Sequence, residues 1–428
     1  MYNPFNKSIS EIEFEDLNKL IENNVSEGWY IEYKSSFPNN KKIAKSIASF
    51  ANSKGGWYII GIEECENESK PSKIIGFDLE NYNKPADKIT NVIKDHIDPI
   101  PYFETKIVKI PKNKYVLVVQ IFEGHDVPYI CNGSIYMRIG ETTEPLAIKK
   151  RHEFEQLRDK KKTFQKEVNL FMENTFFFDE NYNQPYLEFY IYVNNPKGIL
   201  FEDFYSEEFF ENLKDKFESK TQIVEGANLS ARFDFDNIYG SVGSYILRHI
   251  YNNPPLHTGI TLELFKEGHL KLILPFNIYT KTTLNDKYES LIYYDHFISD
   301  ELDDLRIIDL SESMFAFHVI LSKYKQLLEE YNCKYELNIK YKFKNFNSIT
   351  PFMDSKEYME FIHKNKVPIN LKKTINIPNR EYLTYSFDKF NVITLSIKII
   401  EATGLPTYLT NVISEGYGNF IINHQIKE

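Results

Sequence analysis

Cysteine is scarce in this chain. The three present, Cys65, Cys131 and Cys333, lie far apart and form no C-x-x-C pair. That excludes a disulfide scaffold and a cysteine-rich zinc module, and it fits a reducing cytoplasm. Long apolar runs are missing too: none approaches the roughly 18 residues of a membrane-spanning helix. Met1–Lys7 has no apolar stretch of the kind that opens a secretory signal. The common nucleotide and hydrolase motifs are absent: there is no G-x-x-x-x-G-K-S/T loop, G-x-G-x-x-G, G-x-S-x-G or H-E-x-x-H. A Walker loop, a dinucleotide fingerprint, a nucleophile elbow and a zincin helix are thereby excluded. Ser53-Lys54-Gly55-Gly56 has the residue types of a phosphate loop without its spacing, and the ten histidines show no ligand spacing. An excess of basic charge is also lacking. The net charge is −10, so the chain as a whole is not a bulk polyanion binder.

What is present is an ordinary globular balance, 42% hydrophobic and 26% charged over 428 residues, enough for two or three domains. The charge is unevenly spread. Residues 1–150 hold 19 Lys/Arg against 21 Asp/Glu, and the remainder holds 32 against 40. The first third is therefore near neutral and is read as one domain, 1–150. A charged helical connector follows over 151–178, then a second α+β region over 179–428.

In the first domain, Ser10 with Glu13 suggests a capping box before a helix that buries Leu17, Leu20 and Ile21. Trp29–Lys34 reads as a short strand. Asn39 or Asn40 caps a helix whose Ile43, Ile47, Phe50 and Ala51 share one face, and Gly55-Gly56 ends it. Trp57–Ile62 reads as a buried strand. Pro85–Ile97 reads as a helix, Ile107–Ile110 and Tyr115–Phe122 as strands, and Asn132-Gly133 as a hairpin turn. Beyond the connector, Tyr186–Val193 and Tyr335–Phe343 alternate like strands, and Leu262–Phe265 with Leu270–Leu274 reads as a hairpin. Ser311 is placed as the cap of a long helix running to Tyr331, and Val392–Ala402 reads as a helix. The fold class is α+β: a mixed N-terminal domain and a separate α+β C-terminal region.

One constellation has chemistry in it. Glu27 and Glu32 flank Gly28-Trp-Tyr-Ile31, and Glu63-Glu64 closes the strand that starts at Trp57. In a strand, Glu32 and Lys34 share a face, because side chains alternate with period two. If the two strands are neighbours, three carboxylates and one lysine converge. Hard cations such as Mg²⁺ or Mn²⁺ favour carboxylate oxygens and activate water for phosphodiester cleavage. An isolated Glu-x-Lys is usually a solvated surface pair, so the weight rests on the company it keeps. Lys41, Lys42 and Lys45 at the start of the next helix, with Lys54 at its end, are candidate phosphate contacts. Arg138 either contacts a phosphate or pairs with Glu141 or Glu144.

Taken together, the blocks Glu27–Lys34, Ile43–Gly56, Trp57–Glu64, Ile74–Phe77, Val127–Ile130 and Ile135–Pro145 resemble the Schlafen-type, AlbA-like domain. The phrase Ser49-Phe-Ala-Asn-Ser-Lys-Gly-Gly56 before an apolar strand with Gly61 is specific, as is the closing Tyr136-Met-Arg-Ile-Gly140. The likeness covers a third of the chain. It implies a metal-dependent endoribonuclease acting on tRNA or another structured RNA, with Glu27, Glu32 and Glu64, or Glu63 in its place, as metal ligands. Lys34 matches the basic residue after the second acid. The third acid of such domains is often Asp, so Glu is a departure here. Two-lobed relatives enclose RNA in a cleft; a single lobe needs a homodimer for the same purpose. By analogy alone, such an activity suits bacterial antiphage defence. The competing reading is a non-catalytic nucleic-acid-binding transcriptional regulator on the same fold. A third treats the first domain as an assembly module, with Phe176–Phe178 and Phe209-Phe210 in buried interfaces.

Overall fold

The computed structural model describes residues 2–65, 68–81, 84–138, 146–174, 183–217, 222–224, 229–231, 235, 237–249, 259–288, 306–366, 368–379 and 381–423. The fold is α+β. It divides into two compact units, Met1–Glu167 and Val168–Glu428.

In chain order the first unit contains α1 (Phe14–Glu22), β1 (Ile31–Lys34), α2 (Asn40–Asn52), β2 (Gly56–Ile60), β3 (Ile62–Glu64), β4 (Pro71–Ile74) and α3 (Pro85–His96). Then come β5 (Ile97–Asp98), β6 (Phe103–Ile110), β7 (Lys114–Ile121), β8 (Ile130–Cys131), β9 (Ser134–Met137), β10 (Leu146–Ala147) and α4 (Arg151–Glu173). The division between the units falls within α4, inside the segment read from sequence as a connector.

A four-stranded sheet, β1-β2-β7-β6, is the frame. β1 and β2 are parallel, and β2-β7-β6 are antiparallel. Both faces are covered, so β2 and β7 read as continuous apolar runs. Tyr58, Ile60, Leu117 and Val119 pack with Ile43, Ile47 and Phe50 of α2 and Ile89 and Ile93 of α3. Trp57, Ile59, Val116 and Val118 pack on the other face with Leu17 and Leu20 of α1. On β1, Ile31 and Tyr33 join the second of these layers.

Local chemistry sets the ends of α2. Asn39 caps it, its Oδ1 accepting from the Lys42 N–H at 2.9 Å, as the cap-forming preference of Asn predicts. Gly55 takes φ +70° just past its end, the left-handed conformation common there. At Gly56 a Cβ would stand 2.3 Å from the Phe50 ring and 2.8 Å from the Tyr30 carbonyl oxygen, so no side chain fits. Asn132 (φ 47°) and Gly133 (φ 77°) make the expected turn between β8 and β9.

Several boundaries differ from the sequence reading. The Trp29–Lys34 strand begins only at Ile31, because the Gly28 N–H turns back to the Ile31 carbonyl at 3.1 Å. The Trp57–Ile62 strand is broken at Gly61 (φ +114°), after which β3 pairs with β4. The capping box expected at Ser10 and Glu13 is instead Ser8 with Glu11, and Glu13 with Asp16 starts α1.

In the second unit an antiparallel sheet is centred on Tyr186–Val193, which lies between Leu270–Pro275 and Leu337–Lys344. Ile260–Phe265 and Leu270–Pro275 form the expected hairpin. The helix Leu310–Glu330 buries Met314, Phe317, Leu321, Tyr324 and Leu328. Its cap is Asp309 rather than Ser311, because the Asp309 carboxylate accepts from the Glu312 N–H at 3.2 Å. Phe209 is core, whereas Phe176–Phe178 lie outside the described residues.

Candidate active site

The acids converge. Glu32 faces Tyr58 across the parallel β1-β2 pair, and Lys34 faces Ile60. The Gly61 N–H donates to the Lys34 carbonyl at 2.7 Å. The positive φ of Gly61 then redirects the chain, and Glu64 on β3 comes back toward Lys34. Glu27 sits in the bend before β1, and its Oε1 accepts from the Tyr33 N–H at 2.5 Å. The Lys34 ammonium lies 3.5 Å from Glu27 Oε1, 3.3 Å from Glu32 Oε1 and 3.5 Å from Glu64 Oε1. It donates its one short bond to the Tyr33 carbonyl, at 2.6 Å. Of the adjacent pair, Glu64 reaches this cluster, while Glu63 is exposed and lies opposite Lys73.

Glu32 is the most enclosed member of the cluster in its bonding. Its Oε1 accepts from Ser46 Oγ of α2 at 2.9 Å, and its Oε2 accepts from Arg138 Nη2. The side chain of Arg138 is fully buried, donates through Nη1 to the Gly28 carbonyl at 2.7 Å, and stacks 3.9 Å over the Phe50 ring. The reading of Arg138 as a phosphate contact is therefore corrected: its charge is spent inside the fold, on Glu32. Glu141, Glu144 and the block Ile139–Pro145 lie outside the described residues.

Burial pushes the Glu27 carboxyl up to about 7, with Lys34 and the Tyr33 N–H opposing the shift. Burial alone would lower the Lys34 ammonium, but Glu32, Glu27 and Glu64 outweigh it and hold the group above its ordinary value. Tyr58, buried beside Glu32 and Glu27, is held well above the usual phenol range, and its hydroxyl has no hydrogen-bond partner among the described residues.

Residues 27–147 match the family model described as Schlafen, AlbA_2. The N-terminal unit carries a Schlafen-type AlbA-like domain. The match opens on Glu27, the first acid of the cluster. Among solved structures, the DIP2311 protein from Corynebacterium diphtheriae is similar at 17% identity and a TM-score of 0.21, over 31% of this chain and 28% of that one. The matched part thus spans under a third of that protein's length. No curated protein matches. The Schlafen AlbA_2 domain points to a nucleic-acid-related function. Among the described residues no helix is long and apolar enough to cross a membrane.

The candidate lysines divide. Lys41 and Lys42 are exposed on the first turn of α2. Lys45 is half-buried, its ammonium 5.4 Å above the Tyr136 ring, so it is less open to a phosphate than Lys41 and Lys42. Lys54 is exposed and lies 3.5 Å from Glu123. Asn52 is fully buried and bonds backbone only, to the Tyr129 and Tyr136 carbonyls and the Tyr129 N–H. Ser46 was missed from sequence. Its signal was a polar residue among Ile43, Ile47 and Phe50 on the buried face of α2.

In kind, three carboxylates suit a hard divalent cation. In position, the cation among them is the Lys34 ammonium. Among the described residues no three His, Cys, Asp or Glu side chains are grouped to ligate one metal ion. A metal at Glu27, Glu32 and Glu64 requires Lys34 to leave first.

Proposed function

We propose that this Schlafen AlbA_2 domain is an endoribonuclease whose centre is Glu27, Glu32, Glu64 and Lys34, acting on tRNA or another structured RNA. The observation that carries this reading is the approach of all three carboxylates to one ammonium within 3.3–3.5 Å. Mg²⁺ or Mn²⁺ belongs to it as the cation that the three acids would hold in place of Lys34, supplying a Lewis acid and an activated water. The protein's own part is to keep the acids in position. Ser46 and Arg138 fix Glu32, and the Tyr33 N–H fixes Glu27. Lys34 is 28% exposed at its side chain, so it can turn outward and meet a phosphate. Lys41 and Lys42 offer charge to the flanking backbone. A homodimer would supply the second wall of a cleft, and a reducing cytoplasm suits the three free cysteines. By analogy such an enzyme fits a defence role in which translation is stopped.

The direct experiment incubates the full chain with tRNA and Mn²⁺ or Mg²⁺, with and without EDTA. Cleavage that needs the metal and disappears in Glu32→Ala supports the proposal, and chelator-resistant cleavage sinks the metal requirement.

A second reading, a non-catalytic nucleic-acid-binding regulator, is favoured by the ammonium already seated among the acids. It expects salt-sensitive binding without cleavage, weakened by Lys41→Glu and unaffected by Glu64→Gln.

A further inference from the structure

A groove of about 760 Å³ opens beside the acidic cluster and shares Glu27 with it. Its other walls include Tyr2, Trp29, Tyr30, Asn23 and Ser69. The chain has two tryptophans. Trp57 is fully buried, whereas Trp29 is 39% exposed and Tyr2 is 48% exposed. Large aromatics left facing solvent in a cleft are the signature of a binding surface.

The local backbone explains the exposure. The Gly28 N–H bonds the Ile31 carbonyl, so Trp29 and Tyr30 stand outside the strand that their β-forming character would otherwise extend. The Trp57 indole N–H donates to the Tyr2 carbonyl at 3.0 Å, and the Phe5 ring packs edge-on against Trp57 at 5.0 Å. These contacts pin the N-terminal segment so that the rings of Tyr2 and Tyr30 lie 5.5 Å apart. Tyr2 and Tyr30 are thus held in place before anything binds. No lysine or arginine is among the described residues that line it, so it is not built for phosphate. Its volume is within the range of small-ligand sites, about 300–1,000 Å³. Flat π-faces with a few polar side chains suit nucleobases, which stack on aromatic side chains whatever their sequence.

From this geometry we infer that the Tyr2–Trp29–Tyr30 groove is a stacking subsite for unpaired nucleotides of the RNA next to the acidic cluster. The inference rests on the nuclease reading for its RNA substrate, and it deepens that reading: the RNA must present unstacked bases at this point. A fully paired helix cannot fill the groove, because its bases are already stacked and its edges face inward.

Trp29 reports on the groove directly, since the other tryptophan is buried. The full chain in EDTA, where cleavage is not required, is titrated with a single-stranded oligouridylate of about six nucleotides and with the same length of RNA duplex. Expected are quenching of Trp29 emission by the single strand, little change with duplex, and a Kd weakened about tenfold or more in Trp29→Ala. Trp29→Phe should recover most of the affinity, which a merely structural role would not require. Stacking without cleavage in any metal would defeat the nuclease proposal and leave the subsite standing. RNA cleavage accompanied by unchanged Trp29 emission, and equal affinity in Trp29→Ala, would overturn the subsite and leave the nuclease. Emission that varies with protein concentration in the absence of RNA would assign the groove to a second copy of the chain and also overturn it.

Discussion

Each unit of this protein surrounds one lysine with carboxylates, and the two arrangements differ. In the C-terminal unit, the Lys287 ammonium bonds Asp309 at 2.8 Å and Glu312 at 2.9 Å. Tyr288 donates to Asp309 at 2.5 Å, and Tyr279 and Asn277 donate to Glu312 at 2.6 and 2.7 Å. Asp309 also caps the helix Leu310–Glu330. Every charge there is matched by a short hydrogen bond, as a buried ionic cluster needs if it is to offset the cost of desolvation. In the N-terminal unit, Lys34 stands 3.3–3.5 Å from three carboxylates and gives its one short bond to its own chain. Exchange of the ammonium for another cation, which the proposed nuclease requires, asks less of the loosely shared Lys34 than of Lys287, whose removal leaves Asp309 with the Tyr288 hydroxyl and the Glu312 N–H but no cation. The N-terminal arrangement thus suits the proposed chemistry and the C-terminal one suits holding a fold.

The largest effect expected is on Arg138, the part of the N-terminal cluster that does behave like the C-terminal one. Arg138→Ala leaves the Glu32 carboxylate buried without its guanidinium and should cost about 3–5 kcal/mol in denaturant unfolding. A loss under about 1 kcal/mol would show that Glu32 is held by something else. Next, Lys287→Ala should cost about 2–4 kcal/mol, whereas Lys34→Ala should cost only about 1–2 kcal/mol. In the Lys34 variant Glu32 keeps Arg138, and Glu27 can take up a proton. The reverse order of stabilities would break the comparison. The pH effect of Glu27 is a change of slope. Burial pushes its carboxyl up to about 7 in the folded chain, above its ordinary 4.5, so the folded state binds the proton more tightly than the unfolded one. Stability should therefore fall as pH rises from about 4.5 to about 7. Glu27→Gln should flatten that slope in urea midpoints measured across the window.

Much of this site was readable from residue order. Period two in β1 put Glu32 and Lys34 on one face, and the apolar run of β2 marked a neighbouring strand, but the turn at Gly61 that brings Glu64 back was hidden because the apolar run continues through it to Ile62. The first two are local signals, and the Asn39 cap and the Asn132-Gly133 turn were read the same way. The role of Arg138 was not readable, because its partner Glu32 lies 106 positions away and two nearer acids, Glu141 and Glu144, competed for it. Trp29 and Tyr30 were placed in a strand by their β-forming character. A backbone turn at Gly28 overrides that preference, and the groove they line follows from it. The stacking of Lys45 on Tyr136 was not readable either, because helical spacing cannot show Tyr136 arriving from β9.

Glu64 gives the most direct test of the nuclease claim. It is the most exposed of the three acids, at 36% of its side chain, so Glu64→Gln should change unfolding stability by no more than about 0.5 kcal/mol. The measurement is single-turnover cleavage of tRNA in Mn²⁺ by Glu64→Gln and by the unaltered chain, both confirmed folded. The rate expected in the variant is lower by about a hundredfold or more. Cleavage at the unaltered rate would overturn the nuclease proposal.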